Sequence, residues 1–450
     1  MTFLRTKGPT DEMHLKPGVG GSLDSWLTWL ERGRADEIDL GLGRCEQVAL
    51  NLNLNLTKLE PSVVTVAGTN GKGSSVSLLE AILLEAGYRT GTYSSPHISC
   101  FNERIKLSGI NIDDHLLCDA FLRVSLVEGA EQLTYFEFIT LAALVIFASA
   151  DIDFMILEVG LGGRLDAVNI VPPDIALITM IGIDHTEWLG DTRELIGFEK
   201  AGIMRTGKPV VCSDKMVTES IYKHAHELSS PLFLLGVDYY YEHGDSGWVW
   251  WTDNCLLDEL PEPILAGNHQ LRNAAGVLKV VDLLSETHSI TEENIQQGLK
   301  GSSLKGRFEK PYRNLNLFLD VAHNVDGAYA LASNLHSAAE VGETHMIVGM
   351  LKTKSAIDFF RPLLPIADDW SFISIPSTKA SDPRLLQDAL KKISKKAKSD
   401  CFDSFEHAFD SIFLNMGIGD RIIVTGSFIT VAEATAFLQK RLFYEHKMAQ

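Results

Sequence analysis

Apolar residues in this chain fall into short continuous runs separated by segments of helical period. The β-branched run 63–67 ends at Gly68, and the stretch beyond it carries Val76, Leu79 and Leu83 on one side before Gly87 stops it. This predicts strand, glycine-rich loop, helix. The alternation continues with a helix around Tyr135 to Ser149 and strands at 154–159, 175–179 and 210–212. Strands apolar on both faces, alternating with helices, predict a mainly parallel sheet covered on both sides. Leu23, Trp26, Leu27 and Leu30 predict a short amphipathic helix at the start. Residues 239–241 and 248–251, joined by 243–247, predict an antiparallel hairpin whose aromatic rings serve packing.

The composition changes over residues 301–306, and a second alternating series follows, with strands expected at 315–320, 346–350, 370–375 and 422–424. The expected architecture is therefore α/β, a P-loop-type parallel sheet domain over residues 1–304 followed by a smaller Rossmann-like α/β domain over 305–450.

With 450 residues there is room for two or three domains. The most apolar stretch, 138–150, is too short for the roughly 20 residues that span a bilayer and reads as a buried helix. The net charge of −19 repels polyphosphate surfaces and argues against a nucleic-acid partner unless basic residues cluster locally. A basic run at Lys391, Lys392, Lys395, Lys396 and Lys398 reads as a solvated helix face. Cys45, Cys100, Cys118, Cys212, Cys255 and Cys401 form no CxxC pair, which suits free thiols in a reducing compartment. Residues 1–21 carry charges and prolines where a signal peptide needs an apolar core, so the expected location is the cytoplasm, with no membrane partner.

The loop Gly68-Thr69-Asn70-Gly71-Lys72-Gly73-Ser74 lies between strand and helix. There, backbone N–H groups and a helix N-terminus surround phosphate oxygens and a lysine reaches a terminal phosphate. The spacing is not that of GxxxxGK[ST], and a glycine turn by itself is ordinary loop chemistry. Glu158 ends a predicted strand and Asp184-His185 follows the next, at the sheet edge where open α/β folds bind ligands. Either in isolation reads as a turn cap or a structural histidine; together beside a phosphate loop they favour magnesium. Lys200, among small and apolar residues, has a setting that lowers an amine's pKa, although alone it reads as a surface lysine. Polar residues at Asn268, Arg307, Asp320 and His323 suit nucleotide contacts or simply polar loops.

Read together, GTNGKGS at 68–74, SSPH at 94–97, LTYFEF at 133–138, LEVGLGGRLDAVN at 157–169, DHTEWLG at 184–190, EKAGI at 199–203, GRFE and LDVAHN resemble the folylpolyglutamate and dihydrofolate synthases of the Mur ligase superfamily. The resemblance covers most of the chain. IDLGL at 38–42, with LTYFEF, is most similar to the bacterial bifunctional members.

That resemblance implies an ATP-dependent ligase joining L-glutamate to dihydropteroate and to the glutamyl tail of reduced folates, through an acyl phosphate. It implies that Thr69, Asn70, Gly71, Lys72, Gly73, Ser74, Asn268, Arg307 and Asp320 bind ATP. It implies magnesium, one or two ions, on Ser95, Glu158 and His185, with carbamylated Lys200 as a further ligand. It further implies catalytic roles for Lys72, Lys200 and His185. Thr134, Tyr135, Phe136, Glu137, Leu165, Asp166 and Ala167 match pterin contacts, and Ile38, Asp39 and Leu40 match more loosely. Val321 and Val325 stand where the family often has glycine and proline. A monomer is implied.

Two other readings compete. A cell-wall Mur ligase usually carries a whole domain before its phosphate loop, whereas 67 residues precede Gly68 here. A non-catalytic nucleotide-binding relative is expected to have lost the metal positions, yet Ser95, Glu158, His185 and Lys200 all stand.

Overall fold

A computed structural model of the chain describes residues 16–34, 39–244, 247–263, 267–302, 304–312, 315–338 and 342–448. The larger of two parallel sheets holds β1 (Ser62–Ala67), β2 (Thr90–Tyr93), β3 (Ile105–Leu107), β4 (Ile110–Asn111), β5 (Phe154–Glu158), β6 (Ile175–Ile178), β7 (Val210–Cys212) and β8 (Leu232–Leu234). Their order is β4-β3-β2-β5-β1-β6-β7-β8. From β2 to β8 every pairing is parallel, and β3 and β4 add an antiparallel edge.

Strand side chains alternate between faces, and each face feeds its own core. Val63, Met155 and Leu157 turn toward the helices Leu23–Arg34, Asp114–Ser125 and Tyr135–Ser149, where Trp29 meets Phe138 edge-on. Val64, Val66, Phe154 and Ile156 turn the other way, onto Lys72–Glu85, Asn268–Leu284 and Glu292–Gly301. The helix Tyr135–Ser149 is buried almost throughout its length, as its unbroken apolar run requires.

The expected hairpin is β9 (Tyr240–Gly244) and β10 (Gly247–Trp251), extended by an unanticipated third strand, β11 (Leu256–Leu260). Trp248 and Trp250 are fully buried, with Trp250 donating Nε1–H to the Ala275 carbonyl at 3.1 Å, while Trp251 stacks on Tyr240.

The second sheet holds β12 (Leu317–Leu319), β13 (Thr344–Val348), β14 (Asp369–Ile373), β15 (Lys398–Phe402) and β16 (Arg421–Thr425), all parallel, in the order β12-β16-β13-β14-β15. β15 overturns the reading of the basic run as one helix face. The helix Pro383–Ile393 ends after Lys392, and Lys398 opens the edge strand. An edge strand exposed on one side needs no apolar run, so its polar sequence concealed it.

Candidate active site

The parallel register sets the site. Val66 pairs with Glu158, so the end of β5 lies beside the end of β1, and β6 flanks β1 on its other side. Chain connections therefore diverge above β1, the position where open sheets leave a crevice.

The loop after β1 is strapped to the end of β6. Thr69 N–H donates to the Met180 carbonyl at 2.7 Å, and Thr179 Oγ1–H donates to the Asn70 carbonyl at 2.9 Å. Gly68 and Gly71 make this approach possible. A Cβ on Gly68 would lie 1.7 Å from Thr179 Oγ1, and one on Gly71, whose φ is +97°, would lie 2.4 Å from Asn273 Oδ1. The helix Lys72–Glu85 starts directly from the loop, so its free N–H groups open toward the crevice.

Lys72 Nζ donates to the carbonyls of Gly68, at 2.9 Å, and Thr69, at 3.3 Å, which curls the side chain over the loop. Burial lowers the Lys72 amine and raises the Glu158 carboxyl, and the charge of each is the leading opposing influence on the other. Glu158 also accepts the Ser95 N–H at 3.2 Å. His185 has φ +50°, and burial followed by the nearby Lys354 charge takes its imidazole down to about 4. It is neutral at physiological pH and able to ligate.

Ser95, Glu158 and His185 line one cavity with Lys72. Among the described residues no three His, Cys, Asp or Glu side chains are preassembled around a point. Oxygen and neutral nitrogen donors in this number fit magnesium or manganese, ions that complete their shells with phosphate oxygens and water.

Lys200, which alone reads as a surface residue, is 2% exposed, and its Nζ makes no hydrogen bond or ion pair with the described residues. Burial, then the like charge of Lys72, brings its amine to about 7. A buried ammonium without a partner is costly, so the neutral amine is favoured.

The cavity is about 570 Å³ and receives residues from both sheets. It contains Thr69 to Gly73, Asp39, Leu40, Thr134 to Glu137 and Leu165 to Ala167, together with Arg307. Ile38 lies outside the described residues. Thr134 and Glu137 close the helix start as a capping box. Asp166 uses its oxygens on the Leu161 and Val168 N–H groups, at 2.8 and 3.0 Å, so it shapes the wall by holding a turn.

Three expected ATP contacts are not among the lining residues. Ser74 is buried within the helix that follows the loop. Asn268 heads the helix Asn268–Leu284, its Oδ1 3.1 Å from His243 Nε2. Asp320 accepts the Phe308 and Ala322 N–H groups at 2.9 and 2.8 Å, and its charge acts on Arg307, which lines the cavity.

The roof adds Lys354 and Asn324, to which sequence reading attached no role, and it sets Asp184, read as a candidate magnesium ligand, against Lys354. Asp184 accepts Lys354 Nζ at 2.5 Å and Asn324 Nδ2 at 2.9 Å. Burial opposes its charge, yet His323, His185 and Lys354 together hold its carboxyl well below the usual range. Asn70 and Asn324 exchange side-chain amide hydrogen bonds at 3.1 and 3.2 Å, joining the loop after β1 to the end of β12. The repeated glycine after a strand, Gly68 after β1 and Gly426 after β16, is the signal that points to both edges of the crevice.

Residues 66–253 match the family model described as Mur ligase middle domain, and 306–428 the Mur ligase glutamate ligase domain. The chain is 36% identical to the dihydrofolate synthase/folylpolyglutamate synthase of Escherichia coli (strain K12) over 425 residues, covering 94% of this chain and 97% of the relative. It is 38% identical over 439 residues to the enzyme of the same name from Haemophilus influenzae, covering 93% and 98%. Among solved structures, E. coli FolC in complex with DHPP and ADP superposes with a TM-score of 0.87 at 36% identity, covering 94% of this chain and 99% of that one. A bifunctional folylpolyglutamate synthase/dihydrofolate synthase with Mn, AMPPNP and L-glutamate bound superposes at 0.85 and 39% identity, covering 94% and 100%.

Proposed function

We infer the activity from one premise: the chain belongs to the dihydrofolate synthase/folylpolyglutamate synthase family of Mur ligases. It is an ATP-dependent ligase that joins L-glutamate to dihydropteroate, forming dihydrofolate, and to the glutamyl tail of reduced folates. ATP and a divalent metal ion serve it. The observation that carries this reading is that half-buried Lys72 and buried Glu158 line one cavity, each charge acting on the other, where the loop after β1 meets the end of β5.

A carboxylate is a poor acyl donor, so a substrate carboxylate oxygen attacks the γ-phosphorus of ATP. The bond to the leaving ADP oxygen breaks as the acyl phosphate forms. The glutamate amine, in its neutral form, then attacks the acyl carbon; the bond from that carbon to the phosphate oxygen breaks, and the nitrogen's proton leaves with the departing phosphate. Loop N–H groups and Lys72 hold the phosphates and offset charge on the transferring group. Ser95, Glu158 and His185 would hold a divalent ion, which when bound neutralises phosphate charge. Lys200, as a neutral amine, forms an N–C bond to CO2 and releases one proton to solvent, becoming a carbamate whose oxygens are donors at the same cavity. The Asn70–Asn324 and Asp184–Lys354 contacts hold the second sheet over the cavity, excluding the water that would hydrolyse an acyl phosphate.

In this reading residues 1–304 carry ATP and pterin and residues 305–450 complete the cleft. The net charge of −19 supports a protein without a nucleic-acid partner. Among the described residues no helix is long and apolar enough to cross a membrane. We place the enzyme in the cytoplasm as a monomer. The test is phosphate release with ATP, glutamate and either dihydropteroate or tetrahydrofolate. Release that requires both glutamate and pterin is expected, and its absence with both pterins refutes the assignment.

A further inference from the structure

The cavity must receive an anionic acid, yet its own walls are rich in carboxylates. Most of its cations are already engaged. Lys72 is held by the loop carbonyls and Lys354 by Asp184. Arg307 and Lys200 have roles in the reading above.

Arg104 remains. It precedes β3, lines the cavity, and is 91% buried, being 9% exposed. Its Nε–H donates to His97 Nδ1 at 2.9 Å, and its guanidinium lies 5.3 Å from the centre of the Phe101 ring. Burial, then the Arg104 charge, lowers the His97 imidazole to about 4, so His97 stays a neutral acceptor. A guanidinium has five N–H donors in a rigid fork, and only one is used here. The four on Nη1 and Nη2 have no protein acceptor among the described residues, and Arg104 lines the cavity, so these donors are free to meet what enters it. The Arg104 charge acts on Tyr135, on the pterin side of the cavity, and on Glu158, on the metal side. A pterin acid that reaches the γ-phosphate must set its carboxylate in that interval.

We propose that the Nη1–Nη2 edge of Arg104, fixed from behind by His97 and Phe101, is the receptor for a carboxylate of the pterin substrate. The proposal rests on the pterin-ligase reading of the cavity. Two carboxylates have the required chemistry: the acid about to be phosphorylated, common to both reactions, and the α-carboxylate of the glutamyl tail, which pteroate lacks.

The test is fluorescence titration of the full chain with pteroate, pteroate methyl ester and folate monoglutamate, alongside the phosphate-release assay. Wild type is expected to prefer pteroate over its ester by about tenfold or more, as loss of a charge-assisted bidentate contact implies. Arg104→Met should collapse that ratio to within about twofold while the ester's affinity holds, and Arg104→Lys should fall between. Loss for pteroate and folate alike assigns the receptor to the acid being phosphorylated. Loss confined to folate, with wild type not separating pteroate from its ester, assigns it to the tail's α-carboxylate. An unchanged pattern across all three ligands in Arg104→Met overturns the proposal, as does equal weakening of acid and ester, which marks a role in shape alone. Should the variants not fold, wild type that binds pteroate, its ester and folate equally overturns it. Wild type that binds none of them and releases no phosphate overturns the pterin reading itself, and this proposal with it.

Discussion

Glu137→Ala tests whether the start of the helix Tyr135–Ser149 is a rigid wall of the cavity. Glu137 Oε2 accepts the Thr134 N–H and Arg44 Nε–H, each at 2.8 Å, and its own N–H returns to Thr134 Oγ1 at 3.3 Å. Arg44 also donates to Asp39 at 2.5 Å, so this one carboxylate ties the helix start to the 39–40 segment. The Glu137 side chain is 5% exposed and that of Arg44 21%. Truncation leaves the Thr134 N–H unpaired in buried surroundings, about 1–3 kcal/mol. It also removes one anchor of Arg44, about 1–2 kcal/mol, because that guanidinium keeps Asp39 and some water. The expected loss is about 2–5 kcal/mol, localised to this helix start. Glu137→Gln keeps an acceptor for Thr134 and removes only the charge, so it should cost less than half as much. Native-state hydrogen exchange at residues 135–140 reads the local opening free energy directly. The Michaelis constant for dihydropteroate should rise in the same order, Ala above Gln above wild type. Equal protection in the two variants, or a loss below about 0.5 kcal/mol in Glu137→Ala, would refute the argument that this carboxylate holds the wall.

Lys72→Met should lower kcat by about 10²–10³-fold, the scale for removing one charge from a transition-state clamp, with an unchanged circular dichroism spectrum; a variant within tenfold of wild type excludes the role. Carbon-13-labelled bicarbonate should give a protein carbamate signal that grows as pH rises through about 7, since only the neutral Lys200 amine adds CO2. The signal should vanish in Lys200→Arg, and a wild-type spectrum without it removes the carbamate from the mechanism. His345 lies 3.7 Å from both Asp369 and Asp420, and the Asp369 interaction leads in raising its imidazole above the ordinary value. A folded-state value above the unfolded one means stability present below about 6.5 and lost as pH rises through the folded value. His345→Gln should therefore destabilise more at pH 6 than at pH 9, by about 0.5–1 kcal/mol in urea titration, and a cost independent of pH counts against the pair.

The floor of the cavity was legible because it is built locally. A β-branched run, a glycine turn and a lysine within a dozen positions dictate strand, loop and helix start, and parallel pairing then brings Glu158 and His185 to the same edge without any further signal. The roof was not legible for the opposite reason. Asp184 meets Lys354 across 170 positions, and Asn70 meets Asn324 across 254. No periodicity encodes a contact of that separation, so Asp184 and Asn70 read only as candidate metal and phosphate ligands and their partners Lys354 and Asn324 went unmarked. Resemblance assigns Asp320 to ATP without showing what else that carboxylate holds. Asp320 spends its oxygens on backbone N–H groups and affects the cavity by setting the turn and charge beside Arg307.

The same division bears on how the enzyme can work. Phosphate binding needs only the locally encoded floor, whereas capture of an acyl phosphate needs water excluded, and that depends on the long-range contacts. Asn324 stands where these meet, since it bonds Asn70 of the loop and Asp184 of the roof while its Oδ1 also caps Gly327 at the start of the helix Val325–Ser337. One short side chain thus links the phosphate loop, the carboxylate beside His185 and the first helix of the second sheet. The enclosure that protects the acyl phosphate is therefore coupled to the loop that delivers the phosphoryl group.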